Sequence, residues 1–238
     1  MKKNKPKILS TKILRKDASD KALMNDIVID ELAFITTEPI NSDELKSTLK
    51  AFLQRNIIAV FTSKNSVMAF EQIINAEVPW KIFCIGQSTK KAVAKLFGEE
   101  KISGTADNAS ALADVILENC KNEKIIFFCG KQRRDELPGK LKVEGIEVEE
   151  IVVYDTVVTP QKISRKNYDG ILFFSPSAVT SFFSLNKIKG QSQIFAIGKT
   201  TADTIHQHIE KEVNIAEIPS EENVVDQVIA YFGTTKTE

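Results

Sequence analysis

The sequence has few cysteines and histidines and no excess of either charge, and each shortage argues against a class of protein. Three cysteines in 238 residues, Cys84, Cys120 and Cys129, are too few and odd in number for a disulfide scaffold, so we expect reduced core thiols. His206 and His208 stand two apart on a predicted helix and point in different directions, which argues against a metal site or a triad base. Thirty-two basic residues balance 32 acidic ones, which weakens any case for non-specific nucleic-acid binding.

Long apolar runs and nucleotide-binding glycine patterns are also missing from the sequence. No apolar run reaches the ~20 residues that a membrane-spanning helix needs. The basic N-terminal sequence MKKNKPKIL lacks the apolar segment of a signal peptide. Neither G-x-x-x-x-G-K-[ST] nor a complete G-x-G-x-x-G is present, which argues against a nucleotide-binding enzyme. We therefore expect a cytoplasmic protein with no membrane or nucleic-acid partner.

An internal repeat organises the chain. Ala59–Phe70 (AVFTSKNSVMAF) and Leu172–Phe183 (LFFSPSAVTSFF) each pass from an apolar segment through a serine-containing turn into an amphipathic segment, which is typical of strand–turn–helix. Ser63 and Ser175 are offset by 112 residues, and the motifs IFCIGQST and IFAIGKTT keep the same offset. One offset shared by two motifs indicates an internal duplication, so we predict two similar halves.

Predicted strands alternate with predicted helices, which indicates an α/β fold with parallel sheets flanked by helices. The C-terminal half has too few strands of its own, so we expect the N-terminal strand and helix to complete it. The predicted domains are residues 1–37 with 159–238, and an inserted domain of residues 38–158. Two crossings, near 33–40 and 154–160, would form a two-stranded antiparallel linker, with a cleft between the domains.

The turns predicted at the carboxyl ends of the strands are small and hydroxylated or basic. Ligands bind at these ends of open parallel sheets, and the helix N-termini that begin there attract anions. The residues that we expect to bind an anionic ligand are Thr62, Ser63, Lys64, Ser66, Ser88, Arg133, Arg134, Ser175, Ser177, Lys199, Thr200 and Thr201. Taken singly, each serine or threonine is better explained as a helix N-cap, and each lysine as solvated surface. The prediction therefore rests on the coincidence of five such turns.

Six segments, taken in order, give the chain a family resemblance. They are FTSKNSVMAF, IFCIGQSTKKAV, FFCGKQRRDELPGKL, VVYDT, ILFFSPSAVTSFF and IFAIGKTTADTI, and together they resemble uroporphyrinogen-III synthase over nearly the whole chain. The resemblance implies two α/β domains on a two-stranded linker, with the active site in the cleft. It also implies a cofactor-free conversion of linear hydroxymethylbilane to uroporphyrinogen III, with inversion of the last pyrrole ring and loss of water. The eight carboxylates of that substrate suit a cleft of helix N-termini and cations.

Two further site residues enter through the resemblance. The first strand of this family commonly ends in Thr-Arg, whereas here Thr11 precedes Lys12, which keeps the charge but loses bidentate geometry. We therefore add Lys12 to the substrate-binding set. Tyr154 of VVYDT is the catalytic candidate, because a phenol near the cleft would assist hydroxide departure by hydrogen bonding or proton donation. Its alternative role is that of a packed interfacial aromatic.

Two rival functions stay open at this stage. The first is a two-lobed small-molecule sensor, which would have the same cleft without turnover. The second is a dinucleotide- or nucleotide-dependent α/β enzyme, against which the missing glycine fingerprint argues. The chemistry of hydroxymethylbilane needs no metal, and we expect the protein to act as a monomer.

Overall fold

The structure is a computed structural model that describes residues 5–74, 76–120, 123–164, 168–188 and 190–234. The sequence predicts that the helix after Ser63 ends near Asn75, and this residue lies outside these ranges, as do the basic residues 1–4. The chain divides into two compact units. Unit 1 comprises residues up to Thr36 and residues from Val157 onwards, and unit 2 comprises Thr37–Thr156. The predicted domain boundaries, at 37/38 and 158/159, lie within two residues of this division.

Strands and helices alternate along most of the chain. The strands are β1 (Lys7–Ser10), β2 (Val28–Glu31), β3 (Ile35–Pro39), β4 (Ile58–Phe61), β5 (Lys81–Ile85), β6 (Ile102–Ala106), β7 (Ile125–Gly130), β8 (Val148–Val158), β9 (Gly170–Phe173), β10 (Gln193–Ala196) and β11 (Asn214–Ile215). The helices are α1 (Lys16–Met24), α2 (Asp43–Leu53), α3 (Lys64–Ile73), α4 (Gly86–Phe97), α5 (Ala109–Asn119), α6 (Glu136–Val143), α7 (Pro176–Leu185), α8 (Lys199–His206) and α9 (Glu221–Thr234).

Unit 1 is a parallel sheet with strand order β11-β10-β9-β1-β2. The N-terminal strand lies inside this sheet, since Ser10 of β1 pairs with Leu172 of β9. Helices α1 and α9 bury one face of the sheet, where Ile8 lies, and α7 and α8 bury the other, where Phe173 lies. Burial of both faces is the expected state of a parallel sheet.

Unit 2 is a six-stranded sheet in the order β3-β8-β7-β4-β5-β6. The five strands from β8 to β6 are parallel. Strand β3 runs antiparallel to β8, because Ile40 N donates to Val153 O and Thr159 N donates to Phe34 O, both at 2.9 Å. Helices α2, α3 and α4 cover one face, and α5 and α6 cover the other. The predicted parallel sheets flanked by helices are thus confirmed.

The predicted repeat appears in the bounds of equivalent elements. Helices α3 and α7 begin at Lys64 and Pro176 and are both ten residues long, so they keep the 112-residue offset of the sequence motifs. Their N-caps also correspond, because Ser63 Oγ accepts from Ser66 N and Ser175 Oγ accepts from Ala178 N, each at 3.2 Å. The turns at the two strand ends are therefore built in the same way.

Strands β2 and β6 were not predicted from the sequence. Strand β2 has only four residues, two of them acidic, and β6 contains a glycine at a sheet edge. Gly104 of β6 is needed for packing, since a Cβ there would stand 2.7 Å from the ring of Phe83. Both are edge strands of their sheets, where pairing with one neighbour outweighs a weak local preference.

Candidate functional site

A depression of about 450 Å³ opens at the carboxyl ends of the unit 2 strands. This volume lies within the range of about 300–1,000 Å³ typical of small-molecule sites. We call it the unit 2 depression, and its lining is Thr62, Ser63, Ile85, Asp107, Asn108, Ala109, Phe127, Cys129, Gly130, Gln132, Arg133, Arg134, Glu136, Leu137 and Tyr154. It therefore brings together five of the predicted site residues, which are Thr62, Ser63, Arg133, Arg134 and Tyr154.

Three helices begin at the unit 2 depression. Ser63 caps α3, Asn108 caps α5 by accepting from Ala111 N at 2.9 Å, and Glu136 is the first residue of α6. Each helix N-terminus carries a partial positive charge and N–H groups without partners in the helix. The arrangement favours an anionic ligand.

Tyr154 of β8 reaches this edge of the sheet from the strand beside β7. Its phenolic oxygen lies 3.3 Å from Ser63 Oγ, and its ring also packs against the aromatic core of unit 2. The side chain is partly buried, so its hydroxyl stays at the depression while the ring is anchored. The phenol can therefore donate a hydrogen bond to a group bound there.

Arg133 is held by carboxylates of its own unit. Its Nε donates to Glu150 Oε2 in a short contact, and its Nη1 lies 3.1 Å from Asp135 Oδ1. Lys142 Nζ lies 3.0 Å from the other oxygen of Glu150. The hydrogen bond from Arg133 lowers the pKa of the Glu150 carboxyl below its ordinary value, and Lys142 adds to the effect.

Arg134 has no such partners. It is exposed, and among the residues that the structure describes it makes no ion pair and no side-chain hydrogen bond. Its guanidinium is therefore available to a ligand. Cys129, by contrast, is buried, and burial raises the pKa of its thiol to about 11, so it would be a poor nucleophile.

The other predicted residues of unit 2 do not line the depression. Lys64 and Ser88 are exposed in the first turns of α3 and α4. Ser66 is completely buried, and its hydroxyl donates to Ser63 O at 2.7 Å. Ser66 therefore completes the N-terminal turn of α3 by satisfying a local carbonyl.

The predicted residues of unit 1 lie where α7 and α8 begin. Ser175 is the N-cap of α7, Ser177 is half-buried in its first turn, and Lys199 and Thr200 are exposed at the start of α8. Thr201 is buried against the sheet. The arrangement of these turns around one cleft with those of unit 2 stays a prediction.

Lys12 follows β1 and is already paired within unit 1. Its Nζ lies 2.5 Å from Glu221 Oε2 and 5.4 Å from the ring centre of Phe174. The other oxygen of Glu221 accepts a hydrogen bond from Arg15 N at 2.7 Å. A substrate carboxylate at Lys12 would therefore have to compete with Glu221, the first residue of α9.

Some lining residues were missed by the sequence analysis. Asn108 and Asp107 precede α5, and Glu136 begins α6. Asn108 stands directly before residues 109–120, which the sequence predicts to form a helix, so an N-cap argument would have found it. Asp107 and Glu136 carry no comparable local signal, because only the folded turn places them at the depression.

The described residues offer neither a metal site nor a membrane-spanning helix. Within the described ranges, no group of three or more histidine, cysteine, aspartate or glutamate side chains is placed to hold a metal ion. No helix in those ranges combines the length and the apolar character that crossing a bilayer requires.

Comparisons with known proteins identify relatives. The family described as "Uroporphyrinogen-III synthase HemD" matches residues 22–226. A uroporphyrinogen-III synthase of Saccharomyces cerevisiae is 24% identical over 175 residues, which are 63% of this chain and 64% of that protein. One from Chlorobaculum parvum is 25% identical over 167 residues, covering 62% of this chain and 68% of that protein. The match thus spans slightly less than two thirds of the yeast relative.

Solved structures share the fold. The crystal structure of uroporphyrinogen-III synthetase from Helicobacter pylori superposes with a TM-score of 0.65 at 16% identity, covering 95% of this chain and 99% of that one. A mutant uroporphyrinogen III synthase from Thermus thermophilus gives 0.61 at 13% identity, covering 98% of this chain and all of that one. At these identities the similarity establishes the fold alone.

Proposed function

Because the chain belongs to the uroporphyrinogen-III synthase family, we propose that it converts hydroxymethylbilane to uroporphyrinogen III in tetrapyrrole biosynthesis. The reaction closes the macrocycle, inverts the last pyrrole ring and releases water. The enzyme would thus be a cyclising lyase, and its substrate a linear tetrapyrrole with eight carboxylates.

The reaction needs little chemistry from the protein. The oxygen of the terminal hydroxymethyl group takes up a proton as its C–O bond breaks, so it leaves as water, and the pyrrole nitrogen lone pair stabilises the resulting azafulvene cation. The substituted α-carbon of the far terminal pyrrole attacks this cation to form a spiro intermediate. The spiro centre reopens, recloses with the ring inverted and loses one proton, so the net change is the loss of one water. Catalysis is then mainly conformational steering. The enzyme holds the bilane so that the ring closes with inversion of the last pyrrole and not without it.

One observation carries the proposal for this chain, namely the composition of the unit 2 depression. Three helix N-termini, the exposed guanidinium of Arg134 and the phenol of Tyr154 surround a volume of about 450 Å³. Helix N-termini and arginine bind carboxylates, and a phenol donates a hydrogen bond to a departing hydroxide. The depression would take one part of the tetrapyrrole with its acidic side chains.

We assign Tyr154 the role of assisting hydroxide departure. Its hydroxyl is 3.3 Å from Ser63 Oγ, so the serine fixes the direction of the phenol without adding a charge. A neutral donor at this point would stabilise the negative charge that builds on the leaving oxygen.

The test of the function is the isomer produced from hydroxymethylbilane. The bilane is generated enzymatically in situ, the product is oxidised, and the type I and type III porphyrins are separated by chromatography. We expect type III product in proportion to enzyme, and only the spontaneous type I product with heat-denatured protein. Type I product alone, with intact protein that still binds the porphyrin, would instead support a sensor without turnover.

The proposal also covers the cellular compartment of the enzyme and its oligomeric state. Three buried, unbridged cysteines are compatible with the reducing cytoplasm, where we propose that the enzyme works. We further propose that it acts as a monomer and without a nucleic-acid partner, which sedimentation of the purified protein with and without bilane would check.

A further inference from the structure

Two adjacent arginines at the unit 2 depression differ in what holds them. Arg133 and Arg134 both follow β7, and both line the same depression. The side chain of Arg133 is 29% exposed and engages Glu150 and Asp135. Arg134 is exposed and engages no acidic side chain in the part of the chain that the structure describes. The two adjacent arginines therefore differ in their acidic partners: carboxylates neutralise the charge of Arg133, whereas Arg134 faces the depression without a described acidic partner.

The contacts of Arg133 leave it poorly suited to a ligand. Recognition of a carboxylate by arginine is strongest when two N–H groups point the same way. In Arg133 the Nε donor is used by Glu150 and Nη1 lies 3.1 Å from Asp135 Oδ1, so each of the two faces that could bind a carboxylate through paired N–H groups already has one donor engaged. If Arg133 moved to bind a ligand, Glu150 would also lose a principal ion-pair partner, and its side chain is only 20% exposed. A partly buried carboxylate that loses its partner is costly.

Arg134 lies at the edge of the same depression, and its guanidinium bonds to none of the residues that the structure describes. Two acidic residues, Asp107 and Glu136, also line it, and neither forms an ion pair with Arg134. Because Glu150 already neutralises Arg133, Arg134 is the lining cation left to offset these carboxylates and an incoming anion. A ligand bearing several carboxylates would therefore meet its strongest attraction at this side chain.

We propose that Arg134 binds a carboxylate of the substrate in the unit 2 depression, whereas Arg133 is a positioning residue that ties the loop after β7 to Glu150 of β8. The inference deepens the proposed function and rests on it for the identity of the substrate. It assigns separate tasks to two residues that the sequence presents as equivalent.

The experiment compares Arg134→Ala, Arg134→Lys, Arg133→Ala and Arg133→Lys with the wild-type protein. Arg55→Ala serves as the control, because Arg55 is an exposed arginine of the same unit at the end of α2. Three quantities are measured: kcat and KM for hydroxymethylbilane, the Kd of the stable octacarboxylate uroporphyrin at low and high salt, and Tm.

We expect Arg134→Ala to raise KM and the uroporphyrin Kd about tenfold, the value of one charge-assisted hydrogen bond, with unchanged kcat and Tm. The effect should shrink at high salt, since an exposed pair is screened, and Arg134→Lys should restore part of the affinity. Arg133→Ala should lower Tm and change the Kd less than threefold, and Arg133→Lys should recover Tm. The control should match the wild type.

Unchanged binding in Arg134→Ala, or a larger loss of binding in Arg133→Lys than in Arg134→Lys, would overturn the inference. The two hypotheses fail separately. Wild-type protein that makes no type III product but binds uroporphyrin through Arg134 contradicts the proposed function alone. Normal type III synthesis by Arg134→Ala with unchanged KM contradicts the inference alone. Absence of both turnover and uroporphyrin binding in the wild type would overturn both.

Discussion

The ring of Tyr154 lies directly against the backbone of Gly130, so that a Cβ atom added at position 130 would stand 2.4 Å from ring Cζ. The two residues are register partners, because the β7–β8 pairing shifts between Cys129 and Gly130. Gly130 has ordinary backbone geometry, so it is the missing side chain that matters here. The glycine at the end of β7 lets the phenol pass over the strand end to Ser63.

Gly130→Ala should therefore move the tyrosine. The added methyl group would displace the ring or separate the strands, and overpacking of this kind costs about 1–3 kcal/mol. We expect a lower free energy of unfolding in denaturant and a lower kcat. Gly233→Ala is the control, since a Cβ there meets open space in α9. A Gly130→Ala protein with wild-type stability and turnover would show that the ring tolerates the methyl group.

Tyr154→Phe tests the phenol without disturbing the ring. We expect kcat to fall by about 10²-fold, the lower end of the usual contribution of a positioned acid. Stability should change by only about 1 kcal/mol, because one partly buried hydrogen bond to Ser63 is lost. The measurement is initial-rate kinetics with isomer analysis, and Tyr231→Phe, at an exposed tyrosine, is the matched control. Undiminished turnover would reject the assigned role.

The repeated N-caps should both contribute to stability. Ser63→Ala and Ser175→Ala each remove a side-chain acceptor 3.2 Å from a helical N–H, so each should cost about 1 kcal/mol of unfolding free energy, and Ser63→Ala should cost more because it also removes the hydrogen-bond partner of Tyr154. Ser42→Ala provides a third cap of the same kind at α2, with a distance of 3.1 Å. Chemical denaturation followed by circular dichroism measures the losses. Alanine variants as stable as the wild type would mean that solvent satisfies these N–H groups equally well.

Acid sensitivity should include a contribution from Glu150. Its pKa in the folded protein is lowered, chiefly by the hydrogen bond from Arg133. Its ion pairs therefore stabilise the fold at pH values above its ordinary pKa of 4.5. This stabilisation is lost as the pH falls through the depressed folded-state pKa. We expect Glu150→Gln to be less stable at neutral pH and to lose less stability on acidification. Unfolding free energies between about pH 6 and pH 3 measure this, and parallel curves for the two proteins would contradict it.

The buried thiols should be protected in the native state. Burial raises the pKa of Cys84 and Cys129 to about 11, so they stay protonated well above the ordinary value of 9.0. The folded state is therefore penalised as the pH rises from about 9 towards 11, where the unfolded thiols ionise first. We expect slow alkylation by iodoacetamide in buffer and rapid alkylation of all three cysteines in guanidinium. A rapidly modified cysteine in the native protein would contradict the burial.

Local signals in the sequence predicted much of the fold, and non-local pairing explains what was missed. The caps Ser63 and Ser175 were predictable, since each acts on an N–H three residues away. Edge strand β2 was not, because its four residues become a strand only through pairing with β1. The difference between Arg133 and Arg134 could not be predicted from local sequence either. It depends on Glu150, which lies 17 residues after Arg133 on a neighbouring strand.

The pairing of Lys12 with Glu221 follows the same logic over a longer span. The two residues are 209 positions apart, and they meet because β1 and the start of α9 belong to one unit. The family resemblance predicts that Lys12 binds a substrate carboxylate, whereas the fold pairs it with the carboxylate of Glu221. The contribution of Lys12 to substrate affinity stays a prediction, which Glu221→Gln would examine by freeing the ammonium group.

Because β1 fits between β2 and β9, the order of synthesis constrains how unit 1 can mature. Strand β1 leaves the ribosome more than 150 residues before its partner Leu172 is translated. The inserted segment Thr37–Thr156 emerges in the meantime with nearly all of its own sheet. The nascent chain would thus acquire its second lobe before its first, and a ribosome stalled before residue 170 would display an unpaired edge on β1.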